Sequence, residues 1–147
     1  MTAYVNPTRE SFKAIFDLPQ DRPVMMLNLL RFRDRAEYAS DDPEAGDDVS
    51  GAEAYRRYSA EATPIFASLG GSQAWIGRPE LMLIGPEAER WDLAFVAHYP
   101  TAEAFVTMLK TPAYQHAVRH RNAAVADSRL VRCTEEKPGA TFMPGEE

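Results

Sequence analysis

Two stretches of this chain, residues 24–33 and 91–99, have strand-like sequences that are apolar on both faces. In the first, Val24, Met26, Leu30 and Phe32 alternate with Met25, Leu27 and Leu29. The second, Trp91-Asp92-Leu93-Ala94-Phe95-Val96-Ala97-His98-Tyr99, repeats the pattern. Successive side chains of a strand point to opposite sides, so such strands need apolar cover on both faces of their sheet. Any fold for this chain must supply two covers.

The segments between them read as helices. Asn6-Pro7 carries helix-start chemistry, and Phe12, Ile15 and Phe16 follow on one face, so a short front helix is expected before Leu18-Pro19. Ser50-Gly51-Ala52-Glu53 has the form of a capping box. Tyr55, Tyr58, Ala62, Ile65, Phe66 and Leu69 then make one apolar stripe at helical spacing. Pro64 is expected to bend that helix against the carbonyl of Ala60, and Gly70-Gly71 to end it. Ser72–Arg78 and Leu81–Gly85 read as two strands around Pro79-Glu80. Pro100-Thr101 and Thr111-Pro112 start two further helical segments, to about Lys110 and Ala126, and Ser128–Cys133 reads as the last strand.

The expected order is therefore β-α-β-β-α-β with an extra N-terminal helix, an α+β fold of ferredoxin-like topology. Right-handed crossovers place both helices on one face of an antiparallel sheet. The other face stays apolar and uncovered, which is the mark of an interface. The economical solution is a homodimer through the sheet face, closing a dimeric α/β barrel. One domain is expected over residues 1–147, with a core at about 24–134 and a tail at 135–147.

Composition narrows the partners. The net charge of −6 resides in residues 34–50, where seven acids face the single base Arg35, leaving 15 acids and 15 bases elsewhere. No basic stripe tracks a phosphate backbone, so no nucleic acid is expected. No apolar run approaches the roughly 18 residues of a membrane span, and no signal-peptide pattern opens the chain, so no membrane partner is expected. A single cysteine, Cys133, is read as a small buried hydrophobe, and the cytoplasm is the expected compartment.

Met26-Leu27-Asn28-Leu29-Leu30-Arg31-Phe32, Gly51-Ala52-Glu53-Ala54-Tyr55-Arg56-Arg57-Tyr58 and Leu69-Gly70-Gly71 also resemble a known family. So do Tyr99-Pro100-Thr101, Phe105, Met108, Tyr114-Gln115, His120-Arg121 and Asp127-Ser128-Arg129-Leu130. The chain resembles the bacterial family called domain of unknown function 1330 (DUF1330), of the dimeric α/β-barrel superfamily, over about residues 24–134. The resemblance implies the same dimeric barrel and no particular activity, because that superfamily hosts cofactor-free monooxygenases, lactone isomerases and haem proteins.

Few residues carry chemistry. Asn28 is the one uncharged polar residue in its strand, and a buried amide must find partners in the fold or in a ligand. Arg31 and Arg33 are expected at a strand end, in solvent or paired with the acidic loop. Tyr114, Val118, Arg121 and Val125 recur at helical spacing and should face the sheet. An inward arginine needs a carboxylate (Asp127 or Asp92), a carbonyl or an anionic ligand. His120 is the expected general base, with His98 as the alternative. His116 and His120 stand at i and i+4, but no H-E-x-x-H pattern surrounds them and no metal is expected. Residues 42–46 miss the calcium-loop register, since Gly46 falls fifth where sixth is required, and a mobile loop or lid is expected over 34–50. No Gly-rich phosphate loop, Gly-x-Ser-x-Gly elbow or cysteine pair calls for a cofactor or nucleophile.

The expected function is binding of a small metabolite, phenolic or anionic, between sheet and helices, with Asn28, Tyr58 and Tyr114 as binding residues. Cofactor-independent oxygenase or isomerase chemistry would use His120 as base and Arg121 as the stabiliser of negative charge. The alternative is a non-catalytic binding or structural homodimer in which Arg121 and Asn28 serve the fold.

Overall fold

The computed structural model describes residues 2–145. Its elements are α1 (Arg9–Ala14) with a 3₁₀ turn (Ile15–Asp17), β1 (Val24–Phe32), α2 (Gly51–Ser68), β2 (Ser72–Gly77), β3 (Leu93–Tyr99), α3 (Ala102–Lys110), α4 (Pro112–Ala124) and β4 (Val125–Cys133). The four strands form one antiparallel sheet in the order β2-β3-β1-β4. This is the ferredoxin-like arrangement, with both doubly apolar strands at its centre.

Register decides what each face carries. Val24, Met26, Asn28 and Leu30 of β1 stand opposite Tyr99, Ala97, Phe95 and Leu93 of β3. Val24, Met26, Ala97 and Tyr99 are buried against helix residues such as Phe105, Met108 and Ala117. A second cluster, Leu30, Ala54, Ala124 and Val125, closes the other end, where α2 packs along α4. The opposite sheet face carries Met25, Leu27, Leu29, Val96, Val131 and Trp75, with Val131 and Trp75 still 48% and 55% exposed.

Local chemistry sets the element ends. Ser50 Oγ accepts from Glu53 N at 3.0 Å, while the Glu53 carboxylate turns to Arg56 at 3.0 Å, so only half of the expected capping box forms. α2 continues through Pro64 without interruption. At its C-terminus Gly70 adopts φ +82°, and the amides of Gly70 and Gly71 reach the carbonyls of Ala67 and Phe66. That is the glycine-ended helix terminus anticipated from Gly70-Gly71.

Three expectations are corrected. The front helix is capped by Thr8, whose Oγ1 accepts from Ser11 N at 3.0 Å, and not by Asn6. Thr8 and Ser11 satisfy each other's backbone donors, which a single asparagine does not. Residues 81–85 form no strand: Leu81, Leu83 and Ile84 are 78%, 82% and 92% exposed in the loop between β2 and β3. β propensity alone makes no ladder: the outer edge of β2 is open, yet the segment leaves the sheet with its side chains in solvent. The helix-to-strand change near the C-terminus comes at Val125, where an interior position on α4 becomes one on β4 without a loop.

Candidate functional site

A cavity of about 1280 Å³ lies between the sheet and its helices. It exceeds the ~300–1,000 Å³ common for small-molecule pockets. The sheet contributes Met26, Asn28, Phe95, Ala97 and Leu130, and the helices contribute Tyr55, Tyr58, Phe105, Tyr114, Val118 and Arg121. Val5, Phe12 and Ile15 of the N-terminal segment close one side. Tyr114, Val118 and Arg121 of α4 face the cavity as their spacing demands, whereas Val125, expected on the same helical stripe, is the buried first residue of β4.

Several of the polar groups that line the cavity lack full hydrogen-bond partners. Asn28 Nδ2 donates to the carbonyl of Met26 at 3.0 Å, and Oδ1 has no hydrogen-bond partner among the described residues. The Tyr58 and Tyr114 hydroxyls are 2.8 Å apart, with their rings edge to face at 6.0 Å. Tyr55 stacks between Phe32 and Tyr58, at 5.1 and 5.2 Å. Burial pushes the Tyr55, Tyr58 and Tyr99 hydroxyls above the ordinary tyrosine range, while Arg121 pulls the first two partway back. All three stay protonated, as hydrogen-bond donors, at neutral pH.

Arg121 finds neither of its expected carboxylates. Asp127 lies on the opposite sheet face, paired with Arg129 at 2.9 Å and accepting from Tyr4 N at 2.9 Å. Asp92 accepts from Phe32 N at 2.9 Å. The guanidinium instead donates through Nη1 to the Val5 carbonyl at 2.6 Å, with Ser128 Oγ 3.5 Å from Nη2. Ser128 Oγ in turn donates to the Tyr4 carbonyl at 2.7 Å. The N-terminal arm is thus tied to α4 and β4 beside the cavity.

His120 and Arg121 do not share a site. Consecutive helix residues point about 100° apart, and His120, 2% exposed, is directed away from the cavity. Its Nδ1 lies 2.6 Å from Tyr38 Oη, and its Nε2 lies 2.7 Å from Glu61 Oε2. His116 is 3.8 Å from the other Glu61 oxygen. No group of three or more His, Cys, Asp or Glu side chains among the described residues is arranged to hold a metal ion. His98 pairs with Met25 on the face away from the helices and does not line the cavity either.

Most acids of the loop at 34–50 are exposed, as expected, but arginines of α2, α4 and the end of β1 hold it at several points. Arg119 Nη1 lies 2.7 Å from both Asp42 and Glu44, Arg57 holds Asp47 at 2.8 Å, and Arg33 holds Glu37 at 3.1 Å. Burial pushes the Asp42 carboxyl up, but hydrogen bonds from Glu44 and Arg119 outweigh it and bring its pKa down to about 2. Its folded value thus lies below the ordinary ~3.9 of an unfolded chain. The stabilisation is present above pH ~4 and is lost as pH falls toward 2. Arg119→Ala should cost about 2 kcal/mol at pH 7 and flatten the acid limb of the urea-midpoint profile between pH 4 and 2. An unchanged acid limb would show that the loop is not held this way.

The sequence offered Tyr55 only as one of several core residues that could line a cavity, and it did not single out Ser128 or the Val5 carbonyl. Tyr55 carried a signal, since its spacing to Tyr58 puts two hydroxyls on the inward stripe of α2. The arm contacts depend on residues more than 110 positions apart and left none.

Comparison with known proteins agrees with the fold. The family described as domain of unknown function (DUF1330) matches residues 45–134, which takes in α2 through β4 and leaves β1 outside. RPA0582 from Rhodopseudomonas palustris, a protein of unknown function, is 46% identical over 93% of this chain and 100% of that one, with a TM-score of 0.84. Its methylated form gives 47% identity over 95% and 99% of the two chains, with a TM-score of 0.86. SnoaB from Streptomyces nogalater, a cofactor-independent oxygenase, is 14% identical over 82% of this chain and 99% of that one, with a TM-score of 0.51, a likeness of fold alone. No curated protein matches the chain. The matched region and the identity to RPA0582 together establish that this chain belongs to the DUF1330 family.

Proposed function

We propose that the protein binds a small, largely apolar metabolite between its sheet and helices. One observation carries this reading: a cavity of about 1280 Å³ whose exposed wall is mainly apolar, with Asn28, the tyrosines, Arg121 and Arg132 among its polar side chains. Native interiors are close-packed, so a space of this size between a sheet and its own helices is a binding volume rather than a packing defect. Asn28, Tyr58, Tyr114 and Arg121 contribute the polar contacts.

Binding is favoured over histidine-based catalysis. Cofactor-independent oxygenase or isomerase chemistry by a histidine needs that base at the ligand, and no histidine among the described residues lines the cavity. Such chemistry would fall to Arg121 and the tyrosines, which serve as donors at neutral pH. The protein acts as a homodimer in this reading, because Met25, Leu27, Leu29, Val96 and Trp75 form an apolar face that one layer of helices leaves uncovered. The unpaired Cys133 fits a cytoplasmic setting. No helix among the described residues is long and apolar enough to cross a membrane.

Calorimetric titration with 2-naphthol should give one site per chain and a negative heat-capacity change, as apolar burial requires. Light scattering at micromolar concentration should give twice the 16.4 kDa chain mass. Absence of a heat-capacity change would count against the cavity, and a monomer would count against the sheet-face dimer.

A further inference from the structure

We propose that the α2–α4 wall of the cavity is an oxyanion site and that its ligand is a carboxylate on an apolar, aromatic-sized body. The inference rests on the cavity reading above and names the chemical class that the cavity selects.

Donors along that wall outnumber their partners. Tyr58 and Tyr114 carry two O–H groups but share one hydrogen bond, so one proton of the pair is left to donate. The Tyr55 hydroxyl lines the same wall and has no hydrogen-bond partner among the described residues. Arg121 has five N–H donors, of which one holds the Val5 carbonyl at 2.6 Å and another reaches Ser128 at 3.5 Å. The remaining donors have no partner among the described residues.

Charge points the same way. A guanidinium is always protonated, and one flanked by apolar walls is costly unless an anion meets it. Every other arginine on α2 or α4 has a carboxylate within 4 Å: Arg56 with Glu53, Arg57 with Asp47, and Arg119 with Asp42 and Glu44. Arg121 has none among the described residues, although its helix neighbour Arg119 has two. A cationic ligand would add a second positive charge beside it. A neutral ligand would leave its charge uncompensated. A carboxylate supplies both the charge and the acceptor lone pairs that this wall lacks. The aromatic neighbours Phe95, Phe105 and Tyr58 suit a flat body attached to that carboxylate.

Two probes of the same shape separate the possibilities. Calorimetric titration with 2-naphthoate and with neutral 2-naphthamide should show the carboxylate binding about 10–100-fold tighter. Arg121→Met should reduce that preference to about 2-fold or less, and Tyr55→Phe, which keeps the ring, should reduce it in part. The wild-type comparison and Tyr55→Phe stand even where Arg121→Met loosens the arm. Equal affinity of both probes for the wild type, or full preference in both variants, overturns the oxyanion site and leaves the cavity reading intact. Binding of neither probe overturns the cavity reading itself.

Discussion

Replacing His120 with alanine is expected to lower stability by about 2–4 kcal/mol and to leave affinity for 2-naphthol in the cavity within about 2-fold of wild type. The imidazole is 2% exposed and bridges Tyr38 and Glu61 at 2.6 and 2.7 Å. Its removal opens a void between α4, α2 and the acidic loop, strips Tyr38 of its hydrogen bond to the ring and takes away the imidazole beside Glu61. Tyr38 belongs to the loop, so loss of His120 loosens that loop together with its ion pairs to Arg119. Tyr38→Phe, which removes one hydroxyl and keeps the ring, should cost about 1 kcal/mol. A catalytic histidine gives the opposite pattern, with stability nearly unchanged and function lost. Urea denaturation of the variant, read beside calorimetry, distinguishes the two.

Gly51→Ala is expected to cost about 3 kcal/mol, more than a glycine-to-alanine change in the first turn of a helix ordinarily would. A Cβ built on Gly51 lies 2.2 Å from the Arg33 carbonyl oxygen and 2.7 Å from the Ala124 carbonyl oxygen. Both obstacles are backbone, so neither yields by rotating a side chain. Three segments meet here: the end of β1, the start of α2 and the end of α4. Gly51 N donates to Arg33 O at 3.0 Å, and Arg33 N donates to Ala124 O at 2.8 Å. An added methyl must part the junction that sets the spacing between helices and sheet. Thermal unfolding checks the prediction, and a shift below about 1 °C would show that the junction has slack.

The sequence carried the layers better than the contacts. Alternation in 24–33 and 91–99 located the two central strands, because a period of two survives without tertiary help. The α4 stripe was legible through the 3.6-residue helical period, and it pointed Tyr114 and Arg121 at the sheet. Adjacency misled where rotation mattered. His120 and Arg121 are neighbours in sequence, yet the helix turns them into different environments. Asp127 was a reasonable partner for Arg121 by distance along the chain, but strand alternation puts it on the other face. Residues 81–85 looked like a strand because their composition suits one; whether a segment joins the open edge of β2 is decided by the whole fold and not by composition. The acidic loop is largely solvated as its charges suggest, but its anchoring at Asp42, Glu44 and Asp47 depends on arginines of α2 and α4 that lie outside it.

The most direct test of the central claim is a crystal structure of the protein soaked with 2-naphthoate. The account predicts difference density for the naphthyl ring between Phe95 and Tyr58, with its carboxylate directed to Arg121. Density on the outer sheet face beside Trp75 and Leu27, with the sheet–helix cavity empty, would contradict it.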